Sequence, residues 1–169
     1  MTHLFPAPGT NEIGHSKHQF ENGLPLDPEL KVSDPYQWLP ESAMKVIEYI
    51  ETYAGEKENP NFGLDRSQPF FIYWDPPSPH EPIVPNKEFL GKSGAGEYGD
   101  FVFEIDHYVG MMLDALDRFH LAENTIVIFS SDNGPEQIAY PRIQEYGHYS
   151  MGDWRGVKRD NWEGGNRVP

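Results

Sequence analysis

Over residues 41–54 the apolar positions Ala43, Val46, Ile47, Ile50, Tyr53 and Ala54 recur at helical spacing, which predicts a helix with one apolar face. A longer helix is predicted over about 97–120, its face built from Tyr98, Phe101, Val102, Ile105, Tyr108, Val109, Met112, Leu116 and Phe119. Two short runs behave differently. PFFIYWD (residues 69–75) and NTIVIFSS (124–131) are aromatic, β-branched and apolar throughout, the text of strands buried on both faces. Residues 1–40 are rich in Pro, Gly, His and Asn, show no sustained period and read as an irregular, loop-rich segment. The stretch PPSPHEPIVPNKEF carries five prolines and reads as a stiff, extended loop. Residues 135–169 also read as loop.

Helix, strand, long helix, strand is the rhythm of an α/β protein with a parallel sheet. Such sheets bind ligands beyond the carboxyl ends of their strands. Both predicted strands end in polar text there, WDPPSPHEP after one and SSDNG after the other.

Composition narrows the function. The formal charge of −14 disfavours nucleic acid as a partner. No apolar run approaches the roughly 18 residues of a membrane span, and the first residues carry neither the basic nor the apolar region of a signal peptide. The absence of cysteine removes disulfides, thiolate metal sites and a cysteine nucleophile. Against the acidic whole, residues 155–167 hold four basic and two acidic side chains, a local +2 suited to an anion.

Asp132 and Asn133 offer a carboxylate and a carboxamide oxygen, the hard donors that calcium selects, though Asp-Asn-Gly by itself is also an ordinary turn. His80 by itself reads as a loop histidine, and Lys158 as a solvated cation. His15 and His18 are too loosely spaced for a metal site.

SPHEP, then SSDNGPE, then RGVKRDNWEGGNRVP resembles the sulfatase family in order and spacing, from about residue 41 to 169. The resemblance implies an alkaline-phosphatase-like α/β sandwich with a mainly parallel central sheet flanked by helices. It implies that residues 41–169 are the C-terminal portion of a sulfatase catalytic domain, incomplete at both ends. By position it makes Asp132 and Asn133 ligands of one calcium ion, His80 the histidine beside the scissile bond and Lys158 the lysine on the sulfate. Arg155 and Arg167 are expected to support the structure. The implied substrates are aryl sulfates or sulfated sugars, and the implied compartment is periplasmic, secreted or lysosomal.

The sequence departs from the family pattern where the nucleophile belongs. A formylglycine made from Cys or Ser within Cys/Ser-x-Pro-x-Arg is expected, and the nearest match here, Ser33-Asp-Pro-Tyr-Gln37, lacks the arginine. The tandem aspartates of the calcium site are also absent. The chain alone is therefore expected to be inactive, with nucleophile and remaining ligands upstream. The alternatives are a non-catalytic remnant that binds anions or a partner, and a phosphomonoester or phosphonate hydrolase of the same superfamily.

Overall fold

The computed structural model describes residues 34–168, together with the backbone of three short strands, β1 (Leu4–Pro6), β2 (Gln19–Glu21) and β3 (Leu24–Pro25). These pair antiparallel in the order β1-β2-β3, with Phe5 opposite Phe20 and Phe20 opposite Pro25. The remainder of the loop-rich segment up to residue 33, with His15 and His18, lies outside the described residues.

Helix α1 (Pro35–Ala54) begins before the predicted Glu41 because the polar text ahead of it is a start signal. The Asp34 side chain accepts from the Tyr36 amide at 3.1 Å, and Pro35 fills a first-turn position where no N–H is needed. Gly55 ends the helix at φ 91°, its amide on the Thr52 carbonyl at 3.1 Å. Helix α2 (Gly96–Arg118) matches the long predicted helix. Helices α3 (Ala139–Tyr146) and α4 (Glu163–Asn166) stand where sequence reading expected only loop. In α3 the buried face is Ala139 and Arg142, so a charged residue occupies the apolar slot and hides the period.

The chain forms two compact units, one of residues 1–84 and 105–123, the other of 85–104 and 124–169. In the first, Ile47 and Ile50 of α1 meet Ala115 and Leu116 of α2, with Phe70 and Ile72 packed against them. Each fully buried aliphatic side chain there is worth about 1.5–3 kcal/mol. Residues 69–75, read from the sequence as a strand buried on both faces, form no strand among the described residues. Trp74 donates its indole N–H to Ser42 Oγ at 3.2 Å, while Phe71 and Tyr73 stay 70% and 78% exposed.

In the second unit Ala139, Met151 and Val157 form the core. Two carboxylates one turn apart on α2 fasten the preceding loop. Asp100 accepts from the amides of Gly91 and Ser93 and from Ser93 Oγ, and Glu104, fully buried, accepts from the amide and Nδ2 of Asn86. Residues 124–131 do not pair with another strand among the described residues, and Ile126 and Ile128 are 90% and 85% exposed. A parallel strand is buried by neighbours on both edges and helices on both faces. The described residues supply none of these to this segment.

Candidate functional site

The Asp-Asn-Gly bend and the Arg-Gly-Val-Lys to Glu-Gly-Gly segment are one interlocked body. The Gly134 amide donates to the Gly165 carbonyl at 2.9 Å, and the Lys158 amide to the Pro135 carbonyl at 2.7 Å. The Gly164 amide donates to the Arg155 carbonyl at 2.8 Å. Backbones approach this closely only without side chains. A Cβ on Gly134 would sit 2.0 Å from the Gly164 oxygen, and one on Gly164 would sit 2.3 Å from the Gly156 oxygen. The third glycine, Gly165, would bring its Cβ 2.4 Å from the Val157 oxygen. Val157 and Asp160 close the turn around Lys158, the Val157 amide donating to Asp160 Oδ2 at 3.0 Å.

This interlock ties the Asp132 and Lys158 stretches of chain together through backbone. Asp132 is exposed at the bend. Asn133 donates its Nδ2 to the Gly134 carbonyl at 2.8 Å, so its Oδ1 is the oxygen left to accept or to meet a cation. Asp132 and Asn133 are thus hard oxygen donors on adjacent residues, of the type calcium takes, and that ion needs about six to eight of them. Among the described residues no group of three or more His, Asp or Glu side chains gathers to complete such a site.

The cations of residues 155–167 are not equivalent. Arg159 Nη1 bonds both oxygens of Glu136, at 2.7 and 2.6 Å. Glu136 is held below the usual carboxylate range, by the Gln137 amide first and by Arg159 next, with the charge of Lys158 adding to it. Arg167 pairs with Glu163 at 3.3 Å and lies over the Trp154 ring at 4.4 Å. Arg155 lies over Trp162 at 4.0 Å. Among the described residues, half-buried Lys158 is the cation of this segment with neither an ion pair nor a ring contact, its charge only reaching Glu136.

Helix α3 is seated by Arg142, 4% exposed and, among the described residues, without a carboxylate partner. Its Nε and Nη2 donate to the Ala95 carbonyl at 3.3 and 3.1 Å, its Nη1 to Ser150 Oγ at 2.8 Å, and its guanidinium covers Tyr98 at 4.4 Å. Burial pushes the guanidinium below its ordinary pKa, against the opposing pull of Tyr98 and Tyr146. Sequence reading missed this anchor, as it missed Glu136 and the two indole partners. The signal available was the spacing of aromatics within a basic stretch.

His80 is exposed in the proline loop, between two cis peptide bonds, Ser78–Pro79 and Glu81–Pro82. Its amide donates to the Pro77 carbonyl at 3.1 Å, and Nδ1 lies 3.0 Å from the Glu81 carbonyl. A hydrogen on Nδ1 satisfies that carbonyl. His80 belongs to the first unit, whereas Asp132, Asn133 and Lys158 belong to the second.

Residues 30–169 match the Sulfatase family model. The chain is 40% identical over 110 residues to an N-acetylgalactosamine-6-O-sulfatase of Bacteroides thetaiotaomicron, covering 62% of this chain and 21% of that protein. It is 44% identical over 104 residues to the human N-acetylgalactosamine-6-sulfatase, covering 62% and 19%. Among solved structures it is similar to one described under the metabolism of multiple glycosaminoglycans by Bacteroides thetaiotaomicron. That match has a TM-score of 0.68 and 31% identity, over 88% of this chain and 30% of the other. A second, a crystal structure in complex with a neocarrahexaose, shares the fold at TM-score 0.66 and 20% identity, over 95% and 32%. The chain thus spans about a fifth of the length of the curated relatives it matches.

Proposed function

Because this chain belongs to the sulfatase family, with its alkaline-phosphatase-like α/β fold, we propose that it carries the cation-binding and sulfate-contacting part of a sulfuric ester hydrolase. The preferred substrate class is a sulfated amino sugar, by the names of the relatives. One observation carries the reading: among the described residues Lys158, unlike Arg159 and Arg167, forms no ion pair, its charge only reaching Glu136, and its backbone is bonded to the Asp-Asn-Gly loop.

The division of labour follows from residue chemistry. Lys158 holds sulfate oxygens as a compact cation while charge develops on the departing oxygen. Asp132 and Asn133 Oδ1 would hold calcium together with ligands from other residues, and the ion would supply Lewis acidity and a template for the sulfate. His80 donates a proton to the leaving oxygen, a task suited to an imidazole. The chain contains no Cys and no Ser-x-Pro-x-Arg, so the formylglycine nucleophile of the family is not one of its residues. The central sheet of the family would be the setting in which residues 69–75 and 124–131 gain their neighbours.

The test grafts residues 34–169 into the matching segment of the Bacteroides relative and measures hydrolysis of 6-sulfated N-acetylgalactosamine. Turnover is expected, with kcat/KM falling by roughly a hundred-fold or more in Lys158→Ala. The ungrafted chain is expected to show none. A Lys158→Ala graft as active as its parent, or a graft that prefers the 6-phosphate, would reject the assignment.

A further inference from the structure

We propose that Trp154 and Trp162 are a sugar-stacking rim on either side of Lys158, which selects sulfated oligosaccharides over free sulfate. The inference rests on the proposed sulfate site and goes beyond it, to the rest of the ligand.

The two tryptophans sit four residues before and four after Lys158 and are paired crosswise. Arg155 covers Trp162 at 4.0 Å and Arg167 covers Trp154 at 4.4 Å. These contacts fold residues 154–167 back on themselves. Each guanidinium occupies one face of its indole, yet the rings remain 46% and 51% exposed. Each half-exposed indole keeps an apolar face on which a ligand ring can stack. What stacks there is constrained by charge: the segment is +2 within a chain of −14, so the ligand is an anion that also has an apolar face. A sulfated sugar ring has both, sulfate oxygens on one side and a patch of C–H groups on the other. A guanidinium stacked on a ring can still use its N–H edge, the fork that matches sulfate oxygens. Among the described residues Arg155 has no carboxylate partner, which leaves that edge for a ligand.

The competing explanation is that the two stacks only staple the loop shut. A staple acts on everything the loop binds, whereas a rim acts on the sugar alone. The 169-residue chain is titrated with a tetrasaccharide bearing 6-sulfated N-acetylgalactosamine, with its desulfated counterpart and with inorganic sulfate, and binding is read from amide NMR shifts. Trp154→Ala and Trp162→Ala are each expected to weaken the sulfated tetrasaccharide about five-fold or more while sulfate stays within about two-fold. Trp154→Phe should recover most of the loss, and Lys158→Ala should weaken both anions. If both alanine variants bind the tetrasaccharide as the parent does, the rim is wrong, while a loss in Lys158→Ala still upholds the sulfate site. If tetrasaccharide and sulfate weaken together, the indoles are staples and the rim is again wrong. A parent chain that binds neither anion overturns the rim and the sulfate site together.

Discussion

The Gly134 amide reaches the Gly165 carbonyl at 2.9 Å, and this bond between two glycines, with that of the Lys158 amide to the Pro135 carbonyl, joins the Asp-Asn-Gly bend to the segment that carries Lys158. Its geometry predicts an asymmetry among glycines. Gly134→Ala places a methyl 2.0 Å from the Gly164 oxygen, so backbone must move, and a loss of about 2 kcal/mol or more is expected in urea unfolding. Gly110 lies inside α2 with nothing within 4 Å of the place a methyl would take, so Gly110→Ala should add about 0.5–1 kcal/mol. Equal effects at the two positions would mean that the close approach is not the constraint.

Asp100 predicts an acid-sensitive loop. Burial works to raise its carboxyl, but the Ser93 amide, Ser93 Oγ and the amides of Gly91 and Lys92 outweigh it and hold the pKa below the ordinary value. A depressed carboxylate stabilises the fold above its unfolded pKa of about 3.9, and that contribution disappears as pH falls through the folded value. Asp100→Asn should therefore be less stable than the parent by about 1–3 kcal/mol at pH 7, with the gap closing below about pH 4. Chemical unfolding at pH 7 and pH 3 checks both halves; a gap that stays constant would assign the loss to packing.

His80 as proton donor predicts a leaving-group dependence. In the graft described above, His80→Ala should slow sulfate esters of basic alcohols far more than those of acidic phenols, because a general acid matters most when the departing oxygen is basic. A rate series across substituted phenyl sulfates and a sugar sulfate measures it. A uniform loss across the series would remove His80 from that role.

What was legible in the sequence depended on how local the cause was. Helices α1 and α2 follow from their apolar period, as Ile47, Ile50, Ala115 and Leu116 meeting in one core confirms. Helix α3 was not legible, because Arg142 fills an inward slot and is satisfied by Ala95 and Ser150, partners that no local pattern announces. Asp100 and Glu104 were hidden for the same reason: carboxylates on a helix read as a solvated face until the loop donors that surround them are known. The apolar text of Ile126 and Ile128 is plain, but strand pairing is a property of neighbours, and the described residues provide none. Asp132, Asn133, His80 and Lys158 were singled out by motif order, whereas the crosswise Trp–Arg stacks join positions up to thirteen residues apart, so that aromatics within a basic stretch hint at them without fixing which ring meets which guanidinium.

The central claim, that Asp132 and Asn133 are cation ligands and not merely a turn, is tested most directly by calcium-linked stability. The 169-residue chain, the graft and its Asp132→Ala variant are melted with and without millimolar calcium. Two protein ligands bind calcium weakly, so the chain should not shift. The graft should gain several degrees, and Asp132→Ala should lose most of that gain. A graft whose calcium response survives Asp132→Ala would contradict the account and leave Asp-Asn-Gly as a turn.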